Sequence, residues 1–178
     1  MKREQFPLSR VYQLIEPGPV TMVTTSRDDH PNVMTMSWHM MIDFEPPVFA
    51  CIISDQNYTF SILKETKECV INIPSEELAS TAVKVGNVSG SKIDKFKKFH
   101  LKTEPASCIG APLLTECYAN LECKVIDMSM AQKYNMFILQ VLTAWIRPKR
   151  IRLRMFHHCG KGVFVADGKI IKLPSKKL

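Results

Sequence analysis

A chain of 178 residues, 46% hydrophobic and 23% charged, has the makeup of a soluble globular protein and can bury about 70% of its unfolded surface in one core. Its longest uninterrupted apolar run, residues 48–53, is far short of the ~20 residues that a membrane-crossing helix needs, which excludes a helical span. The formal charge of +7 sits at one end: from Arg147 onward ten basic residues face one acid, Asp167, giving +9 there and −2 over residues 1–146.

Residues 1–7 are charged and lead into no apolar run or small-residue cleavage site, so no secretory signal is read and a cytoplasmic protein is expected. The six cysteines are then expected to be free thiols. No repeat, low-complexity stretch or linker divides the chain. One domain over residues 1–178 is expected, ending in the basic segment 147–178.

In chain order, short apolar or alternating runs at 20–25, 33–39, 48–54 and 69–73 read as strands of an antiparallel sheet, with Asp28-Asp29-His30-Pro31 and Glu45-Pro46-Pro47 as turns. Residues 59–66 read as a helix opened by a Thr cap. Residues 76–85 read as a helix capped by Ser75 and stopped by Gly86, and residues 94–99 as a third. Residues 118–126 alternate, with Ala119, Leu121, Cys123 and Val125 on one face and Tyr118, Asn120, Glu122 and Lys124 on the other; this predicts a half-buried strand. Residues 136–146 predict a long strand, and Asp167-Gly168 within the apolar run 163–171 predicts a C-terminal hairpin. Many short strands and few helices make the fold class mainly β, a closed or split β-barrel with a few helices.

No P-loop or G-x-G-x-x-G loop is present, and Gly160-Lys161-Gly162 lacks the third glycine, so any nucleotide is held without a Rossmann fold. The serines and cysteines match neither a nucleophile elbow nor a zinc ribbon. His157-His158-Cys159 offers three metal-ligating side chains, but neighbours on an extended chain point in opposite directions. No metal is expected there; the histidines should contact backbone, solvent or an anion.

Residues 32–39 carry more information. Read as a strand, they put Met34, Met36 and Trp38 on one face and Val33, Thr35, Ser37 and His39 on the other. Such a segment suits an aromatic cofactor lying across it, or a barrel strand with a sulfur-rich core face. After residues 48–53 a polar loop from Ser54 to Thr59 opens a helix, a junction where backbone N–H groups and hydroxyls can seat a phosphate. The small, polar loop 86–96 contributes lysines.

These segments occur in a recognisable order: residues 32–39, Asp43-Phe44-Glu45-Pro46-Pro47, Asn57-Tyr58-Thr59, residues 69–74, Ser89-Gly90 before Asp94-Lys95-Phe96, and Ala111-Pro112-Leu113 before Leu121-Glu122-Cys123. Together they resemble the flavin reductase-like FMN-binding split-barrel family, near its flavoredoxin members, over roughly residues 8–172. The resemblance implies a homodimeric split β-barrel that holds FMN without a covalent bond near the subunit interface. It carries over Asn32 and Trp38 as flavin-contacting residues, Thr59 as a phosphate ligand with Ser54 and Tyr58 beside it, Lys95 as the basic contact, and Phe164 as an aromatic against the cofactor; Met36, Ser37 and His39 join the cofactor-binding set from the strand reading of residues 32–39. Where many relatives have a histidine before the long strand, this chain reads Lys133-Tyr134-Asn135. Tyr134 or Asn135 takes that place, and His39, His157 or His158 is left to substitute.

The activity so implied is that of an FMN-dependent oxidoreductase moving electrons from NADH or NADPH to a flavin, metal or protein acceptor. The alternative is an electron-transfer flavoprotein with tightly held FMN and no nicotinamide activity, whose basic C-terminal segment docks an acidic redox protein. Nucleic acid is not an expected partner, because the basic segment lacks interleaved aromatics.

Overall fold

In the computed structural model, residues 18–147 and 154–172 are described. The readings for residues 1–7 and for Lys149, Arg150, Arg152, Lys176 and Lys177 lie outside the described residues. Strands β1 (Thr21–Arg27) and β2 (His30–Met36) form a hairpin whose turn residues Asp28 and Asp29 have φ of 51° and 60°. Two left-handed residues in a row match the twist of the flanking strands, and aspartate tolerates that conformation better than most side chains. β3 (His39–Phe44) and β4 (Pro47–Ile52) form the next hairpin.

Helix α1 (Tyr58–Thr66) leads to β5 (Glu68–Ile73), followed by α2 (Ala79–Gly86) and α3 (Lys95–Phe99). The short strands β6 (Thr103–Glu104) and β7 (Leu113–Leu114) pair beside β8 (Ala119–Asp127). Helix α4 (Ala131–Tyr134) then turns the chain into β9 (Met136–Ile146). The main sheet is antiparallel throughout, in the order β2-β1-β5-β8-β9-β4-β3. It stays open, with β2 and β3 as its edges, and register shifts in the β8–β9 and β3–β4 pairs let it curl. A separate hairpin joins β10 (Phe156–His158) to β11 (Phe164–Ala166).

Alternation along β1 sends Val23 to one face and Met22 to the other, and both are buried. Inside the curl, Val23 packs with Met34, Met36, Phe49, Cys51, Cys69, Cys123, Phe137 and Leu139. On the outer face, Met22 and Val33 pack under Ala82 and Val85 of α2 and under Phe156 of β10. Helices α2 and α3 thus cover β1 and β2 from outside, while α1 packs through Phe60 and Leu63 against the inner cluster.

Several boundaries differ from the sequence reading. The strand read over residues 33–39 ends at Met36; Ser37 and Trp38 bridge to β3, and Trp38 is half exposed. Its sulfur-rich face is core. α1 is capped by Asn57, and Thr59 lies within its first turn. The helix read at 76–85 begins as a 3-10 turn, Glu76–Leu78, before α2. β8 is buried on both faces at Asn120 and Glu122, because the loop around Ser107 and Cys108 folds over its polar side. The C-terminal hairpin turns at Gly160-Lys161-Gly162, with φ of 85°, 51° and 74°, and residues 167–172 form no strand. Asp167 instead accepts from Met155 N–H at 3.1 Å and pairs with His157 Nε2 at 3.1 Å, tying the chain back to β10.

Candidate functional site

Three segments converge at the free edge of β2. The α1 first turn brings Tyr58 and Thr59, the start of β2 brings Asn32, and the α2–α3 connection brings Gly90 and Lys95. Asn32 Nδ2 donates to Thr59 Oγ1 at 2.8 Å, and both residues are buried. Arg27 donates to the Tyr58 hydroxyl at 3.2 Å and pairs with Glu65 at 3.0 Å, which holds the tyrosine ring in place. Lys95 is only 5% exposed; its Nζ donates to the carbonyls of Val33 (2.8 Å) and Val85 (3.0 Å). Burial lowers its pKa from 10.5 to about 8, because a desolvated ammonium is costly.

These residues line a cavity of about 220 Å³ that contains a lysine and no carboxylate. Asn57 caps α1 without a side-chain hydrogen bond, so first-turn N–H groups face the same region. Among the described residues, two buried side-chain polar atoms have no hydrogen-bond partner, Thr25 Oγ1 and Asn32 Oδ1. The two residues lie opposite each other in the β1–β2 register. Buried polar groups are nearly always satisfied, so an orphan in a polar cavity marks a place for a ligand.

A second cavity, about 280 Å³, is walled by Thr35, Met36 and Ser37 at the end of β2, by α2, and by Phe156, His158 and Phe164 of the β10–β11 hairpin. Phe164 meets Phe156 edge-on at 5.8 Å and His158 at 5.0 Å. Gly86 and Asn87 line both cavities, so the two adjoin at the end of α2 and are together termed the groove. One end is polar and cationic, the other aromatic.

Of the residues named from sequence, Asn32, Tyr58, Thr59 and Lys95 stand at the polar end, and Met36, Ser37 and Phe164 at the aromatic end. Four others line neither cavity. Trp38 contributes its carbonyl to Ile52 N–H. His39 Nε2 donates to Pro19 O at 2.8 Å. Ser54 Oγ accepts from Gln56 N–H and shapes the turn before α1. Asn135 ends α4 in a left-handed conformation (φ 57°), accepts Asp55 N–H on Oδ1, and accepts Ile53 N–H on its carbonyl. Ser54 and Asn135 therefore brace the loop that leads into α1. Among the histidines, His158 lines the aromatic end while His157 is taken by Asp167. The sequence reading singled out the loop 86–96 for its lysines but did not name Asn87 and Gly90 within it as lining residues.

One further buried charge lies on β8. Glu122 is fully buried and accepts from Ser107 N–H and Oγ, Cys108 N–H and Sγ, and Trp145 Nε1, at 2.7–3.1 Å. Burial alone raises its pKa, but the hydrogen bonds from Cys108, Ser107 and Trp145 outweigh that and hold it at about 2.

The family model described as flavin reductase like domain matches residues 14–161. The chain belongs to this family. This flavin reductase-like chain is 33% identical over 122 residues to a protein of Archaeoglobus fulgidus, covering 68% of the chain and 69% of that protein. Its fold is similar to that of flavoredoxin from Desulfovibrio vulgaris (Miyazaki F), with a TM-score of 0.84, 23% identity and coverage of 99% and 98% of the two chains. It is likewise similar to the FMN-binding domain of a flavin reductases-like enzyme from Shewanella baltica OS155, with a TM-score of 0.82, 22% identity and coverage of 95% and 96%. The open, curled sheet is the split barrel of this family.

Proposed function

We propose that this protein binds FMN noncovalently in the groove and uses it to pass electrons from NADH or NADPH to a flavin, metal or protein acceptor. The observation that carries the reading is the buried, carboxylate-free polar pocket, in which Lys95 has no acidic partner on the lining and Asn32 Oδ1 has no donor. The residues fit a phosphorylated flavin. Lys95 and the first turn of α1 suit the phosphate, and Thr59 offers a hydroxyl. Ser37, His158 and Phe164 would flank the ring at the wider end. Bound FMN supplies the two-electron chemistry, while the chain's own residues bind, orient and shield it. The likeness to an FMN-binding domain and to a flavoredoxin supports this reading.

The flavoredoxin likeness also favours a second reading, electron transfer without nicotinamide activity, with an acidic redox protein as partner. A second copy of the chain is the proposed partner for the edge strand β3, where Met40, Met41 and Ile42 are exposed and Phe44 is 87% exposed. A hydrophobic edge of that kind is normally covered. The test is the absorption spectrum of the protein mixed with FMN, followed by anaerobic NADH or NADPH. Bleaching of bound flavin supports the reductase. Bound flavin reduced by dithionite alone favours electron transfer, and no binding at micromolar FMN removes both.

A further inference from the structure

Gly90 stands at the polar end of the groove. Its backbone does not call for a glycine: the glycines with positive φ among the described residues are Gly160 and Gly162. Space does. A Cβ on Gly90 would lie 1.9 Å from Oδ1 and 2.9 Å from Cγ of Asn32, and 3.4 Å from Cδ1 of Tyr58. Asn32 cannot yield freely, because it is buried and its Nδ2 is committed to Thr59 Oγ1 at 2.8 Å. Turning the amide away from a new Cβ pulls that donor out of hydrogen-bonding range.

The direction of this bond matters. A threonine hydroxyl has one proton to give and two lone pairs to accept with. Since Asn32 donates to Thr59 Oγ1, the Thr59 proton points elsewhere. A phosphate monoester near neutral pH is mostly an acceptor and needs donors around it. The amide therefore prepares Thr59 as a donor.

We propose that Gly90 is a positioning residue of the phosphate pocket: its missing side chain is the slot that holds the Asn32 amide, and through Asn32 it fixes Thr59 as a donor toward the ligand's phosphate. This rests on the FMN reading above. Gly90 touches no reacting atom, and its effect on the ligand runs through Asn32.

The test titrates FMN and riboflavin, which has the ring and ribityl chain but no phosphate, into the full chain and into Gly90→Ala, Asn32→Ala and the double variant. Gly90→Ala is expected to weaken FMN about tenfold, the scale of one lost hydrogen bond to a charged group. The ratio of FMN to riboflavin affinity falls with it. The double variant is expected to bind FMN as Asn32→Ala alone does, because the new Cβ occupies the space that the amide vacates. Multiplying effects in the double variant, or wild-type affinity for Gly90→Ala, overturn the proposal. If Gly90→Ala fails to fold, a folded double variant that matches Asn32→Ala supports it, and an unfolded double variant overturns it. If the wild-type chain binds neither flavin, the FMN reading has failed instead. The steric half is then read from melting temperatures: Gly90→Ala lowers Tm, and adding Asn32→Ala restores it if the slot is real.

Discussion

Two buried polar clusters in this molecule have opposite bookkeeping. Around Glu122 the protein supplies every partner: five donor groups converge on one carboxylate, no cation is needed, and its pKa is held at about 2. Around Asn32 the described residues stop short, leaving Oδ1 without a donor and giving Lys95 two backbone carbonyls as partners. Burying polar groups costs free energy unless they are satisfied. A cluster that satisfies itself is a structural clamp, here closing the Ser107–Cys108 loop over β8. A cluster left incomplete is stable only because the rest of the fold carries it, and in the proposed FMN reading a bound phosphate completes it.

The largest expected effect breaks the clamp. Glu122→Ala takes a fully buried acceptor away from five donor groups and releases the exposed Ser107–Cys108 loop from β8, and a loss of about 3 kcal/mol is expected from chemical denaturation. FMN affinity of the molecules still folded should stay near wild type, because the clamp does not line the groove. Next comes the incomplete cluster. Thr59→Ala and Lys95→Met should each weaken FMN by roughly 1–3 kcal/mol, and Thr59→Ala should also cost the apo protein about 1–3 kcal/mol because it strands the buried Asn32 Nδ2 donor. Removing Lys95 also removes a desolvated charge, so its apo stability should fall less than that of Glu122→Ala.

The two clusters should also answer pH from opposite ends. Glu122 has a folded pKa of about 2 against an ordinary 4.5, so its contribution is present above pH 4.5 and is lost as pH falls toward 2. Lys95 has a folded pKa of about 8 against 10.5. Between those values the unfolded chain holds the extra proton, so apo stability from this group rises with pH from 8 toward 10.5. FMN binding needs the charged lysine, so affinity should fall as pH rises above about 8, with proton uptake on binding near that pH. A flat affinity between pH 7 and 9.5 would detach Lys95 from the phosphate.

The smallest effect concerns the thiols. All six cysteines are free, and burial pushes Cys51 up to about 12, while a hydrogen bond with Cys123 and burial also raise Cys69. Cys51, Cys69 and Cys123 should resist a thiol reagent in the folded protein, while exposed Cys108 reacts first. Rapid labelling of all three buried thiols would contradict a rigid core.

Much of this was legible in the sequence where periodicity and burial agree. The strand at 136–146 has the same ends in sequence and structure, because a long β-branched and aromatic run has no competing reading. Thr59 and Lys95 were legible from their motifs, but the burial of Lys95 was not, since lysine is rarely buried and its carbonyl partners come from β2 and α2. Glu122 read as solvent-facing because alternation cannot see a loop folding over the polar side of a strand. His39 read as a cofactor residue because the 32–39 segment was taken as one strand; the chain breaks after Met36 and sends its imidazole to Pro19. The C-terminal turn went to Gly160-Lys161-Gly162 instead of Asp167-Gly168 because Asp167 is used as an acceptor.

The most direct test of the central claim, that the incomplete cluster is a phosphate seat, is to compare FMN and riboflavin affinities at pH 7 in the wild-type protein and in Lys95→Met. The account predicts that FMN binds the wild type at least about tenfold more tightly than riboflavin, and that the preference collapses in the variant, since the phosphate's charged partner is gone. Equal affinities for the two flavins in the wild type, or a preference that survives the loss of Lys95, would contradict it.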